Sequence, residues 1–111
     1  VARVIAQGYE ISFEWVEHAD PRWPDGLDLQ VMHGGRWVAE ACLTLLLHSR
    51  ELLPDTLIVD PDHRRCGVGD ALYLSAKVLS ARRAGADVAM RRPSAQTAEA
   101  WAFWDRADRP W

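Results

Sequence analysis

The sequence predicts an α+β domain with the element order β-β-β-β-α-β-α. Three observations predict it. Apolar and polar residues alternate with a period of two near the start, the pattern of strands with one buried face. From Val68 the apolar spacing changes to that of a helix. Past Gly85 a short apolar run, "ADVAM", returns, so a β-α-β crossover follows an antiparallel hairpin region.

Tyr9, Ile11, Phe13 and Trp15 alternate with Glu10, Ser12 and Glu14, which predicts the first strand. "DPRWPDG" then breaks the chain with two prolines and a glycine. Leu27, Leu29 and Val31 alternate with Asp28 and Gln30 in a second strand, and Gly34-Gly35 supplies the positive φ angles of a tight hairpin. The third strand runs from about Trp37 to Leu47, with an apolar density that predicts burial on both faces. "HSRELLPD" reads as a connection, and Thr56 to Val59 as a short fourth strand.

Val68, Leu72, Ala76 and Leu79 share one helical face, and Gly85 stands where a helix ends in a left-handed residue. "ADVAM" is the fifth strand. Pro93 and Ser94 mark the start of a second helix that runs to about Asp105, with Ser94 as its N-cap.

Composition bounds the function. A chain of 111 residues, 49% hydrophobic, fits one folded domain over 1–111. The net charge of −3 argues against a general nucleic-acid binder. The longest apolar run, Cys42 to Leu47, is interrupted by Thr44 and is too short to cross a bilayer, so no membrane association is expected. No basic segment followed by a long apolar one opens the chain, and two cysteines make no disulfide framework; both suit a reducing cytoplasm. Cys42 reads as a small buried hydrophobe. The chain lacks an initiator Met, as a trimmed chain would.

The stretch "VDPDHRRCGVGDAL" carries the chemistry. Gly67 and Gly69 let the backbone turn sharply and let a ligand approach it. The first amides of the following helix have no intrahelical partner and lie at the positive end of its dipole, where a phosphate or pyrophosphate fits. Arg64 and Arg65 add charge beside them. Two other phosphate motifs fail: a Walker loop needs Gly-Lys-Ser/Thr where Gly69-Asp70-Ala71 stands, and a dinucleotide fingerprint needs a third glycine where Leu72 stands.

The wider run "LIVDPDHRRCGVGDAL" resembles the acyl-CoA signature of the GNAT superfamily of N-acetyltransferases. That signature is Arg/Gln-x-x-Gly-x-Gly/Ala after an apolar strand and a Pro-containing turn. Here it reads Arg64-x-x-Gly67-x-Gly69 after Leu57-Ile58-Val59 and Pro61. "LDLQVMHGGRWVAEACLTLLL" looks like the family's central antiparallel strands, and "TAEAWAFWDRA" like the helix beside the cofactor. The family's first two helices have no counterpart in "EHADPRWPDG", and its last two strands are absent, so the resemblance is to a reduced or trimmed member.

The resemblance implies a GNAT-like mixed sheet whose fourth and fifth strands splay apart to admit the cofactor's pantetheine arm. It implies acetyl-CoA as acyl donor. Backbone groups of Leu57, Ile58 and Val59 would hold the arm. Arg64 and the amides of Arg65, Cys66, Gly67, Val68, Gly69 and Asp70 would hold the pyrophosphate, and Thr97 would touch the cofactor. The implied reaction moves an acetyl group to a primary amine on a small molecule or a protein. The alternatives are a non-catalytic acyl-CoA-binding or protein-interaction module on the same fold, and a structural domain with no cofactor.

The catalytic residues are not assigned. An amine must lose its proton to attack, a task for a carboxylate, and Glu51, Asp55 and Asp60 lie near the fourth strand. Asp55 and Asp60 also read as turn formers and Glu51 as a solvated loop residue. The tyrosine that many family members use as acid is matched by Trp104, whose indole is no acid. Tyr9 and Tyr73 are the only tyrosines, and Tyr73 reads as a packing aromatic. His33, His48 and His63 show no metal-ligand spacing, and His63 reads as a surface residue. Of the six tryptophans, Trp15, Trp37, Trp101 and Trp104 fit packing; Trp23 and Trp111, if exposed, would line a substrate groove or a homodimer contact.

Overall fold

The computed structural model describes residues 2–18, 20 and 22–91. The order is α1 (Ala2–Ala6), β1 (Tyr9–Val16), β2 (Asp25–His33), β3 (Arg36–Leu46), β4 (Glu51–Val59), a 3-10 turn (Pro61–His63), α2 (Val68–Ala84) and β5 (Ala89–Met90). The strands form one sheet in the order β1-β2-β3-β4-β5. β1 to β4 are antiparallel neighbours, and β5 joins β4 in parallel. The hairpin at Gly34-Gly35 forms as expected, with φ of 58° and 76°.

One face of the sheet is the core. Leu27, Leu29 and Val31 of β2 and Ala39, Ala41, Leu43 and Leu45 of β3 are buried. α2 lies against this face, touching β2, β3 and β4. It buries Val68, Ala71, Leu72, Tyr73 and Ala76, with Leu79 partly covered. Each fully buried leucine contributes roughly 1.5–3 kcal/mol, so the six of them, Leu27, Leu29, Leu43, Leu45, Leu52 and Leu72, dominate the apolar stabilisation. α2 ends at Gly85 in the left-handed region (φ 70°), where a side chain would be strained.

Several expectations are corrected. β3 is not buried on both faces: Glu40, Cys42, Thr44 and Leu46 alternate with buried residues and are half-buried. Leucine and alanine set its apolar density, but a helix covers one face alone among the described residues. β4 begins at Glu51 rather than Thr56, and the connection shrinks accordingly. Pro54 suggested a break, yet it sits inside β4 beside a bulge, where a missing N–H costs the ladder little. β5 spans two residues of "ADVAM". The short α1 carried no sequence signal. The expected second helix, with Ser94, Thr97, Trp101 and Trp104, lies outside the described residues, as does Trp111.

Candidate anion-binding loop and open strand edge

The site begins where β4 leaves the sheet. The Asp60 amide donates to the Val38 carbonyl (2.7 Å), the last bond to β3. The Asp60 carboxylate then accepts from the Asp62 amide (2.9 Å) and caps the 3-10 turn, so Asp60 acts as the turn former its type suggested. Arg64 Nε donates to the Val59 carbonyl (3.3 Å), folding the first arginine back on the strand end.

Residues Arg64 to Gly67 are exposed. Arg65 and Gly67 both take positive φ, 62° and 81°. Gly67 is the N-cap of α2, and no side chain caps the helix. The first intrahelical bond runs from the Ala71 amide to the Gly67 carbonyl (3.0 Å). The leading amides of α2 therefore open outward beside the arginine pair, at the positive end of a 17-residue helix. An anionic diphosphate fits this geometry, because a capping serine or aspartate would occupy the same donors.

Leu57, Ile58 and Val59 lie on the strand that leads into this loop. Backbone groups alternate along a strand, and Asp60 points to β3. The N–H and C=O of Leu57 and Val59 therefore point to the opposite edge, and those of Ile58 toward β3. On that opposite edge β5 pairs Glu51 and Leu52, and the Arg91 amide reaches the Leu52 carbonyl (2.9 Å). Among the described residues no strand pairs with it further along. The two parallel strands thus meet at one end of β4, and among the described residues nothing pairs with the loop-proximal end.

The face of the sheet away from α2 carries a cluster of polar residues. The register shifts between Cys42 and Leu43, so Asp55 bulges out between Pro54 and Thr56. Its exposed carboxylate accepts from Thr44 Oγ1 (2.7 Å). Asp28 and Cys42 are direct cross-strand partners, with Glu40 two residues along β3. The Cys42 thiol is pushed up to about 11 by burial, by a hydrogen bond with Asp28, and by the charges of Asp28, Glu40 and Asp55. Cys42 is therefore a half-buried thiol in a negative field and not the buried hydrophobe expected. Of the three base candidates, Glu51 pairs with Arg91 (3.2 Å), Asp60 caps its turn, and Asp55 faces solvent on the bulge.

Neither tyrosine is exposed. Burial pushes the Tyr73 phenol far above its usual range. The Tyr9 hydroxyl hydrogen-bonds His63 Nδ1 (2.9 Å), so His63 is not the solvated surface residue its position suggested. Sequence reasoning missed this pair, which joins residues 54 apart. Trp37 and Trp23 are exposed, Trp23 at 64%. A cavity of about 460 Å³ lined by Ser49, Arg50, Lys77 and Asp87 lies at the other end of β4, away from the loop. Among the described residues no group of His, Cys, Asp or Glu is arranged to hold a metal ion, and no helix is long and apolar enough to cross a membrane.

No family model and no curated protein matches the chain. Solved structures do. An aminoglycoside acetyltransferase from an uncultured soil metagenomic sample, in complex with sisomicin, superposes with a TM-score of 0.64 at 11% identity, over 89% of this chain and 85% of that one. A second aminoglycoside acetyltransferase from such a sample is 28% identical, with a TM-score of 0.53 over 63% of this chain and 49% of its own. A ribosomal-protein-alanine N-acetyltransferase from Brucella melitensis gives 0.56 at 13% identity, over 85% and 87%. The sheet order, the crossover helix and the loop between them make the fold of this chain that of the GNAT acetyltransferases.

Proposed function

We propose that the protein is an acetyl-CoA-dependent N-acetyltransferase acting on a primary amine. The observation that carries this reading is the N-terminus of α2, without a side-chain cap, behind Arg64-Arg65 and next to an edge of β4 that no described residue pairs, in a GNAT fold. The amides of Arg65 to Asp70 and the Arg64 and Arg65 charges would hold the pyrophosphate. The outward groups of Leu57 and Val59 would hold the amide-bearing arm in strand fashion; Thr97, outside the described residues, is proposed to touch the cofactor. Bound acetyl-CoA would supply the acetyl group as a thioester.

Asp55, whose exposed carboxylate meets Thr44 on the bulge, would accept the proton of an ammonium, directly or through water. The negative face around Asp28, Glu40 and Asp55 favours a cationic acceptor. The solved neighbours act on aminoglycosides and on ribosomal-protein alanine by their names, and both kinds of amine suit this face.

Isothermal titration with acetyl-CoA, followed by release of free CoA with a panel of amines, tests the proposal. Binding with turnover is expected. Asp55→Asn should keep binding and lose at least tenfold in turnover, the low end of a general base's contribution of about 10²–10⁴ being partly recovered by solvent. Absence of acetyl-CoA binding would reject the reading. A second reading, an acyl-CoA-binding module without catalysis, is favoured by the burial of both Tyr9 and Tyr73, which leaves no exposed tyrosine as acid. Binding without turnover on any amine would support it.

A further inference from the structure

Tyr9 opens β1 and is almost fully buried at the back of the anion loop. Three groups converge on it from different elements. His63, at the end of the 3-10 turn, meets its hydroxyl through Nδ1 at 2.9 Å and stands edge-on to its ring at 5.6 Å. The Cys66 thiol, which donates to the Arg64 carbonyl (3.6 Å), adds to the burial that pushes the phenol up. His33, at the end of β2, lies tilted against the ring at 4.5 Å and is itself held by Nε2–H donating to the Gln7 carbonyl (3.1 Å).

His63 and Cys66 flank Arg64 and Arg65. The phenol therefore ties down the residue that leads into the arginine pair, the Cys66 thiol bonds back to the Arg64 carbonyl (3.6 Å) at its far end, and the two exposed residues between them arch outward. Arg65 does so with φ 62°, a conformation that costs a side-chain-bearing residue roughly 1–2 kcal/mol. A strained arch persists where its surroundings hold it. Its product is an exposed pair of arginines leading into the Gly67 cap.

We propose that Tyr9 is a positioning residue for cofactor binding: its hydroxyl pins His63 so that Arg64, Arg65 and the Gly67-capped amides stand ready for the pyrophosphate. This rests on the acyl-CoA reading above.

The test compares two ligands by isothermal titration: CoA, which carries the pyrophosphate, and S-acetylpantetheine, which does not. Tyr9→Phe keeps the ring contacts and removes the hydroxyl. His63→Leu removes the same bond from the other partner. In both variants CoA binding should weaken about fivefold, as loss of one hydrogen bond implies, while S-acetylpantetheine binding stays at the wild-type value. CoA binding equal to wild type in both variants overturns the role of Tyr9 and leaves the acyl-CoA reading intact. Equal proportional loss for both ligands also overturns it, since that marks general loosening. A wild-type protein that binds neither ligand overturns both.

Discussion

The guanidinium of Arg83 lies 4.5 Å over the ring of Trp15. Its Nε donates to Asp25 (2.9 Å) and its NH2 to Glu17 (2.6 Å), so the last turn of α2 is clamped to β1 and β2. The Glu17 and Asp25 carboxylates hold the guanidinium pKa above its ordinary value. Arg83→Ala should cost about 1–2 kcal/mol, from a cation–π contact and a partly screened ion-pair network. Thermal unfolding should show a midpoint lower by several degrees, with acetyl-CoA affinity unchanged.

Gly67 and Gly85 share a left-handed backbone at opposite ends of α2, and both have ordinary or open space where a Cβ would stand. Gly67→Ala and Gly85→Ala should each cost about 1–2 kcal/mol of stability through conformation alone. Only the first should also weaken acetyl-CoA binding. Titration of both variants beside their denaturation curves checks the contrast.

Arg65 separates stability from affinity in the other direction. Arg65→Gly relieves a strained φ and should stabilise the fold by about 1 kcal/mol or less, read as a raised unfolding midpoint. The same change removes a cation from the anion loop and should weaken CoA binding several-fold, most at low salt. A midpoint that falls, or an affinity that holds, would contradict this account of the loop.

Cys42 gives a pH dependence. Its thiol ionises near 11 in the fold, against an ordinary value of 9.0. The folded state therefore favours the neutral thiol. Its contribution is fully present below about pH 9 and is lost as pH rises toward 11. Denaturation measured from pH 8 to 11 should show wild type losing more stability than Cys42→Ala. At pH 8, iodoacetamide should label the exposed Cys66 well before Cys42.

The fold was legible where local rules decide. Alternation in β1 and β2 placed Tyr9 to Trp15 and Leu27 to Val31, and Gly34-Gly35 and Gly85 marked turns that need positive φ. The fourth strand was half missed, because Pro54 reads as a breaker in isolation and the bulge that accommodates it exists only once β3 lies alongside. Cys42 looked apolar in its run, yet its field comes from Asp28 on one neighbouring strand and Asp55 on the other.

The sequence by itself determined the turn before α2: glycine at 67, after an apolar strand and before a helix, takes a positive φ and leaves the first helical amides without intrahelical partners. Tertiary structure decided what stands behind that loop and beside it. Tyr9 and His63 meet across 54 residues, and Arg83 reaches back 58 and 66 residues to Asp25 and Glu17. Such contacts follow from how the sheet and α2 pack, and side-chain identity along the chain does not encode which distant partner it will find.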